Sequence, residues 1–565
     1  MGRMIRSSAQ SAQQQTGAAA PSGADGTAAG DSYREAFPAP PLGATAGAHE
    51  DGAISSVEYA RSSEVLSRAA GALDVAYHHR LEKIVGRAWC RRILRYLTTA
   101  GPRGTPLERM LASYANPAAP WGDRVKFWLG HRVIDHLRGS TPRATVRTRL
   151  VEHAPTVRGL VLTTRSIAEF GLMLPQRFSS PLFCVWNFTN RCNLRCRHCY
   201  QDAAKAASQN ELTPVEKLDV VDQLGAMYVP MLALAGGEPT MSPDLLPVLR
   251  RAQQYGMHTT VATNGTTMTE RLAADLAAAG VRYVEISLDS VDPARHDAFR
   301  GQEGMWQRSV AGMRTVVATP GLRLGVAMCV HQGNVHEVQA MLDFAIGLGA
   351  GCFAHFNFIP VGRGLKMVEG DLTPQQHEDL LSLLNEYMQR GQIGVISTAP
   401  QFGRVALAQS DDRSGRTACS HAGSGSGTKA RVVAKYLGGC GAGRTYICME
   451  PAGDVTPCVY LPHRVMGNVR LKPIQQIFRE SIYHQLLCDR DQRLHHCRTC
   501  AFKLYCGGCR ARADAYFGQL HGGDPGCIFN SRHWDALVAQ GTVAAAAESP
   551  AMETMKLSPT RHGPA

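Results

Sequence analysis

The sequence predicts an α/β protein organised around a parallel sheet, and three observations carry that expectation. Between about residues 180 and 362, short apolar runs alternate with helix-like segments. Six such units follow one another, and polar motifs fall just after the apolar runs. Serial βα units demand a parallel sheet, because each helical crossover returns the chain to the same end. Two closures stay open, a partial (β/α)6 barrel and a doubly wound sheet. The polar motifs favour the barrel, whose active sites form at the C-terminal ends of its strands.

Residues 1–55 are rich in Ala, Gly, Ser, Gln and Pro. They cannot bury enough apolar surface to offset the entropy of ordering, so a disordered tail is expected. Residues 56–179 read as a helical N-terminal region. SSEVLSRAAGALDVAYHHRLEKIVGRAWCRRILRYL repeats apolar residues at three- and four-residue intervals without a proline, and DRVKFWLGHRVIDHL reads as a further helix. The barrel spans 180–400, with strands FCVWNF, VPMLALA, HTTVAT, YVEISLD, RLGVAMCV and CFAHFNFI. SPDLLPVLRRAQQYG and TERLAADLAAAG are helices between them, the latter stopped by Gly280. LTPQQHEDLLSLLNEYMQR is a helical bridge to a linker over 401–436 that contains a Gly/Ser/Lys loop near 421–429. A cysteine-rich domain covers 437–535, and 536–565 is a second disordered tail.

Hydrophobic and charged contents of 44% and 19% fit a soluble globular protein, and no apolar run reaches membrane-spanning length. Arg3 and Arg6 have no apolar stretch behind them, which argues against a secretory signal. The net charge is +13, with much of the excess before residue 160, as at Arg87, Arg91, Arg92 and Arg95. A solvated helix face explains such a run most simply; an anionic partner, whether membrane surface, carboxylate-rich substrate or nucleic acid, comes second. No nucleic-acid-binding module accompanies the charge, so no nucleic-acid partner is expected. Seventeen cysteines, most in two dense groups at ligand spacing, indicate metal or cluster binding in a reducing cytoplasm. Cys90, Cys184, Cys329, Cys352, Cys419 and Cys488 stand outside those groups and read as small buried hydrophobes.

The first group, WNFTNRCNLRCRHCY, sets Cys192, Cys196 and Cys199 at x3 and x2 spacing. Three thiolates on an iron–sulfur cluster leave one iron open to an outside molecule; a zinc knuckle completed by His198 is the alternative. GGEP follows at Gly236, Gly237 and Glu238, where small residues allow close backbone approach and a carboxylate can meet an ammonium. Taken alone it is an ordinary strand-to-helix turn. TNGT (263–266), EISLDS (285–290) and FNFIPVGRG (356–364) close later strands. The second group holds Cys440, Cys448 and Cys458, then Cys497, Cys500, Cys506 and Cys509, and finally Cys527. Eight thiolates would serve two four-thiolate clusters, or a pair of zinc ribbons.

These runs resemble the radical S-adenosylmethionine (SAM) family. The resemblance implies a TIM-like partial barrel and a [4Fe-4S] cluster on Cys192, Cys196 and Cys199 whose unique iron is chelated by SAM, with Tyr200 at the family's aromatic position. Such enzymes reductively cleave SAM to a 5′-deoxyadenosyl radical that abstracts hydrogen from a substrate. It further implies SAM contacts at Gly236, Gly237, Glu238, Asn264, Ser287 and Asp289, with Val361 and Gly362 at the adenine. The C-terminal cysteines resemble the SPASM extension, which binds two auxiliary [4Fe-4S] clusters. Carried across, the pattern assigns Cys440, Cys458 and Cys509 to one cluster, with Cys448 as a further candidate. Cys497, Cys500, Cys506 and Cys527 go to the other. CGGC at 506–509 departs from the pattern by having two intervening residues where many members have three. WNFTNRCNLRCRHCY, IPVGRG, GGCGAGR and CGGCRARA are most similar to the members that modify heme and other tetrapyrrole precursors, removing or altering acidic side chains. Arg444, Arg510 and Arg512 would then meet substrate carboxylates, or else balance the anionic thiolates. The other expectations are a maturase of ribosomally made peptides or proteins, and, from a different class, a non-catalytic iron–sulfur electron carrier. A low-potential donor such as flavodoxin or ferredoxin and peripheral membrane contact complete the expected partners.

Overall fold

The computed structural model describes Lys83 and residues 85–409, 416–419 and 423–544. The expected tail over 1–55, most of residues 56–84 of the expected helical region, and residues 410–415 and 420–422 of the expected linker lie outside the described residues, as does the tail beyond 544; its expected start at 536 is instead part of a helix (Ser531–Ala539).

The N-terminal region is helical, as expected. It contains α1 (Ala88–Thr98), α2 (Pro106–Ser113), α3 (Trp121–Lys126), α4 (Trp128–Arg138) and α5 (Ala154–Phe170). Thr105 and Glu108 form a capping box that satisfies the first backbone donors of α2. The single helix expected over DRVKFWLGHRVIDHL is two, because Phe127 turns inward to 5% exposure at φ −101°, ψ 12° and interrupts the run. Arg91 donates to the carbonyls of Ala168 and Glu169, which are left unpaired at the end of α5. Arg158 docks α5 on the barrel through the carbonyls of Val229, Tyr255 and Gly225.

Seven parallel strands follow in chain order: β1 (Phe183–Asn187), β2 (Met231–Ala235), β3 (His258–Thr263), β4 (Tyr283–Ser287), β5 (Arg323–Val330), β6 (Cys352–Asn357) and β7 (Gly394–Ser397). Each pairs with the next. Sequential order without a reversal removes the doubly wound alternative, which needs a switch point. β7 is one strand beyond the six expected. The segment expected as a linker is largely ordered: a buried helix (Gln401–Gln409), a hairpin of β8 (Arg416–Cys419) and β9 (Gly423–Ser426), and a helix (Gly427–Leu437). The sheet then crosses into the cysteine-rich region. β10 (Tyr446–Met449) pairs parallel with β1, Phe183 opposite Tyr446, and β11 (Asp454–Thr456) and β12 (Gly467–Asn468) extend it antiparallel. The sheet stays open, with β7 and β12 at its ends.

Alternation along the strands separates two surfaces. Trp186, Leu234, Val261, Val284, Ile286 and Val326 point outward and are fully buried beneath the crossover helices. The inward set mixes small and polar residues, such as Ala233, Thr260, Ala262, Ser287, Ala327 and Ala354, with a few larger ones such as Val185 and Met231. A closed eight-stranded barrel fills its centre with Val, Ile and Leu layers; here the centre is hollow. Among the described residues no helix is long and apolar enough to cross a membrane.

Candidate functional site

The hollow is a cavity of about 830 Å³. At the C-terminal strand ends it is lined by Cys192, Cys196 and Cys199 on the loop after β1, and by Gly236, Gly237, Asn264, Ser287 and Asp289. Cys440, Cys458 and Cys509 reach the same cavity from the C-terminal region. Cys497, Cys500, Cys506 and Cys527 do not line it. Of the two later sets, only Cys440, Cys458 and Cys509 reach the cavity wall.

The first cysteine loop is held by the turns after β2 and β6. Arg363, after β6, donates to the carbonyls of Cys196 and Ala203, each at 2.9 Å, and to Asp202 at 2.7 Å. The Arg363 amide donates to the Cys199 carbonyl at 2.9 Å. The turn after β2 presses in at Gly237, where an added Cβ would lie 2.3 Å from the Arg191 carbonyl oxygen. From β6 comes Gly362, with φ +57° and a Cβ position 2.5 Å from the Tyr200 carbonyl oxygen. Only glycine fits such an approach in the left-handed region.

Charge is arranged around the loop as well. Arg300 pairs with buried Asp289 at 2.6 Å and reaches the Cys196 sulfur at 3.7 Å, so a guanidinium faces a thiolate ligand position. Burial first, then Cys199 and Asp289, push the Cys196 thiol up; Arg300 opposes that shift. Burial would likewise raise Asp289, but Arg300 wins and holds it at about 2. These donors fit a thiolate-held cluster: three clustered thiols at a cavity wall, one with a fixed cation beside it.

The zinc-knuckle alternative fits less well. His198, its required fourth ligand, stacks on Phe299 with ring centroids 4.4 Å apart and planes within 4°.

Several expected contacts are placed differently. Glu238 is fully buried and absent from the cavity wall. Its oxygens accept from Thr240, from the Thr263 hydroxyl at 2.7 Å and from the Asn264 amide at 2.8 Å, so it ties the β2 and β3 turns together. Asn264 lines the cavity yet donates to Asn193, bracing the cysteine loop. Val361 packs with Ile359 and Leu461 away from the cavity, whereas Ile359 lines it. Cys448 is buried on β10 with its thiol toward Glu450 at 3.4 Å, and it does not line the cavity. The three arginines expected at substrate carboxylates are fully buried and held internally. Arg444 donates to the carbonyls of Leu437 and Gly438, and Arg510 to those of Leu520 and Gly522. Arg512 bridges Asp371 and Asp524. They stitch the C-terminal fold, each spending most of its donors on neighbouring carbonyls or carboxylates.

Among the later cysteines, Cys509 is raised by burial first, then by Asp524 and Cys440; Cys500 by burial, then Cys527. Each thiol therefore senses members of its own set. Of the isolated cysteines, Cys184 and Cys352 are buried, but Cys329 and Cys352 face the cavity.

One cavity group escaped the motif reading. Glu285 on β4 points inward, and burial pushes its carboxyl up to about 7. Its one hydrogen bond is from the Tyr283 hydroxyl at 3.2 Å, and Gly325 makes room for that hydroxyl, which lies 2.0 Å from where a Cβ would be. The signal was present: on a strand, Tyr283, Glu285 and Ser287 share one face. At the opposite mouth stand His258, Arg282 and Arg323.

Comparison with known proteins follows this geometry. The radical SAM superfamily matches residues 186–345, and a family described as an iron-sulfur cluster-binding domain matches residues 440–501. The chain is 30% identical to an AdoMet-dependent heme synthase of Methanosarcina barkeri over 62% of its own length and 97% of that protein. It is 27% identical to a pre-heme d1 synthase of Dinoroseobacter shibae (61% and 86% of the two chains) and 28% identical to a PqqA peptide cyclase of Streptomyces rochei (62% and 89%). Among solved structures, Streptococcus suis SuiB bound to its precursor peptide SuiA is similar in fold, with a TM-score of 0.54, 14% identity and coverage of 74% and 92%.

Proposed function

The chain belongs to the radical SAM superfamily, and from that premise we propose that this radical SAM enzyme abstracts hydrogen from the side chain of a carboxylate-bearing tetrapyrrole. The observation that carries the reading is the cavity inside the barrel: its volume lies toward the upper end of the roughly 300–1,000 Å³ of ligand pockets, and two cysteine sets face it. Its similarity to heme-forming relatives supports the tetrapyrrole.

In this reading Cys192, Cys196 and Cys199 hold the SAM-binding cluster. Cys440, Cys458 and Cys509 hold one auxiliary cluster, and Cys497, Cys500, Cys506 and Cys527 the other. When bound, cluster and SAM supply the hydrogen-abstracting chemistry. The chain's own contributions are local. Gly236 and Gly237 open the turn to close approach, and Arg300 offsets thiolate charge at Cys196. The Ser287 hydroxyl faces the cavity. Glu285, largely neutral below about pH 7, presents a carboxyl that can donate or accept a proton. Arg282 and Arg323 offer cations to substrate carboxylates at the far mouth. A low-potential flavodoxin or ferredoxin in a reducing cytoplasm supplies electrons, and the enzyme touches an anionic membrane at its periphery.

Peptide maturation is the second reading, favoured by the peptide cyclase relative. The test is anaerobic reconstitution with iron and sulfide, then SAM and dithionite, with 5′-deoxyadenosine as readout. Iron near about twelve atoms per chain is expected for three four-iron clusters. Product stimulated by an iron porphyrin bearing propionates, and not by peptides, supports the tetrapyrrole reading; the reverse pattern replaces it with maturation.

A further inference from the structure

The segment from 83 to 152 contains fourteen Lys and Arg against four Asp and Glu, a net ten of the chain's net +13. On α3 and α4, Trp121, Val125, Trp128, Leu129, Val133 and Leu137 recur at helical spacing and are 52–76% exposed. Neither helix has a buried residue. On α1, Trp89, Ile93 and Tyr96 sit at i, i+4 and i+7 and are about half exposed. The two faces adjoin, since the Lys126 ammonium lies 5.6 Å from the Tyr96 ring centre. A soluble surface scatters its large apolar side chains; a contiguous stripe marks an interface.

Charge indicates what covers it. Arg92, Arg95, Arg124 and Arg132 are exposed and have no ion-pair partner among the described residues. The acids on this face are already engaged: Asp123 by Arg109, and Asp135 by Arg138 and Arg143. The outward field is therefore positive. Between Trp121, Arg124, Trp128 and Arg132 opens a cleft of about 620 Å³. Tryptophans beside unpaired cations on short helices with no buried residue are the make-up of interfacial helices, whose apolar face enters the acyl boundary while the cations meet phosphate. Nucleic acid would use the cations but leave the apolar stripe wet.

We propose that the α1, α3 and α4 face docks the enzyme on an anionic lipid bilayer, with Trp121, Trp128 and Leu129 inserted and Arg124 and Arg132 on headgroup phosphates. The proposal is independent of which substrate the cavity takes. The test is flotation of the full-length holoenzyme with vesicles of equal phosphatidylglycerol and phosphatidylcholine, against phosphatidylcholine alone, at low and high salt. Binding to the anionic vesicles at least about tenfold tighter, and weakened by salt, is expected. Trp121→Ser/Trp128→Ser and, separately, Arg124→Glu/Arg132→Glu should each lose about tenfold while keeping iron content and circular dichroism. Absence of vesicle binding, equal binding to neutral vesicles, or variants that bind like the parent would overturn the proposal. So would a concentration-dependent dimer that the tryptophan variant abolishes without any vesicle binding, which would assign the face to a second copy.

Discussion

Glu285 shows what one side chain contributes. Tyr283 and Cys352 stand beside it, and burial outweighs the Tyr283 hydrogen bond that favours its ionised form. Its folded value of about 7 lies above the ordinary carboxyl, so ionisation works against the fold. Stability linked to this group is present below about pH 4.5 and is lost as pH rises through 7. Glu285→Gln should flatten that segment of the melting profile, with Tm at pH 8 higher by about 2–4 °C in differential scanning calorimetry. Turnover of added porphyrin should fall while substrate-free SAM cleavage persists. A drop in both would remove Glu285 from the substrate side. The cysteines make the contrasting case. Replacing Cys192, Cys196 or Cys199 by Ala should abolish 5′-deoxyadenosine formation and remove about four irons per chain. Cys448→Ser should keep iron and activity within about twofold, because that thiol faces Glu450 away from the cavity. Thiol spacing was readable in the sequence because ligand geometry dictates it. The bonds from the Thr263 hydroxyl and the Asn264 amide to Glu238 were not legible, since a carboxylate in a turn looks the same whether it meets a ligand or its own backbone.

At the scale of elements, the loop after β1 is a piece without regular structure that the turns after β2 and β6 press into place. Gly362→Ala tests that: a left-handed backbone and a clash with the Tyr200 carbonyl should cost about 1–3 kcal/mol. The expected result is lower iron occupancy and a Tm down by several degrees, with secondary structure by circular dichroism unchanged. Iron and Tm equal to the parent would mean the loop yields freely. Six strands were legible because each is an apolar run bounded by turns. β7 and β10 were not, since GVIS and YICM are four residues long and their pairing depends on neighbours far away in the chain. The break at Phe127 was hidden for a related reason: local periodicity continues across it, and only tertiary burial turns the ring inward.

For the whole molecule, the barrel order followed from serial βα units, and the two cysteine regions from spacing. What spacing could not convey is that both regions share one sheet. β10, after the cysteine at 440, lies against β1, immediately before the cysteine at 192, with four residues in register. Removing everything after residue 436 should therefore leave a fragment that expresses insolubly, while the full chain stays monodisperse in size-exclusion chromatography; a soluble, folded fragment would show the parts to be separable. The reason lies in β1 itself. Stripped of β10, the backbone donors and acceptors of Phe183–Trp186 would face water as a raw sheet margin, a template for pairing with another chain. The C-terminal region is thus also a seal on the barrel, and any route to shortening this protein must first supply another way to close that side.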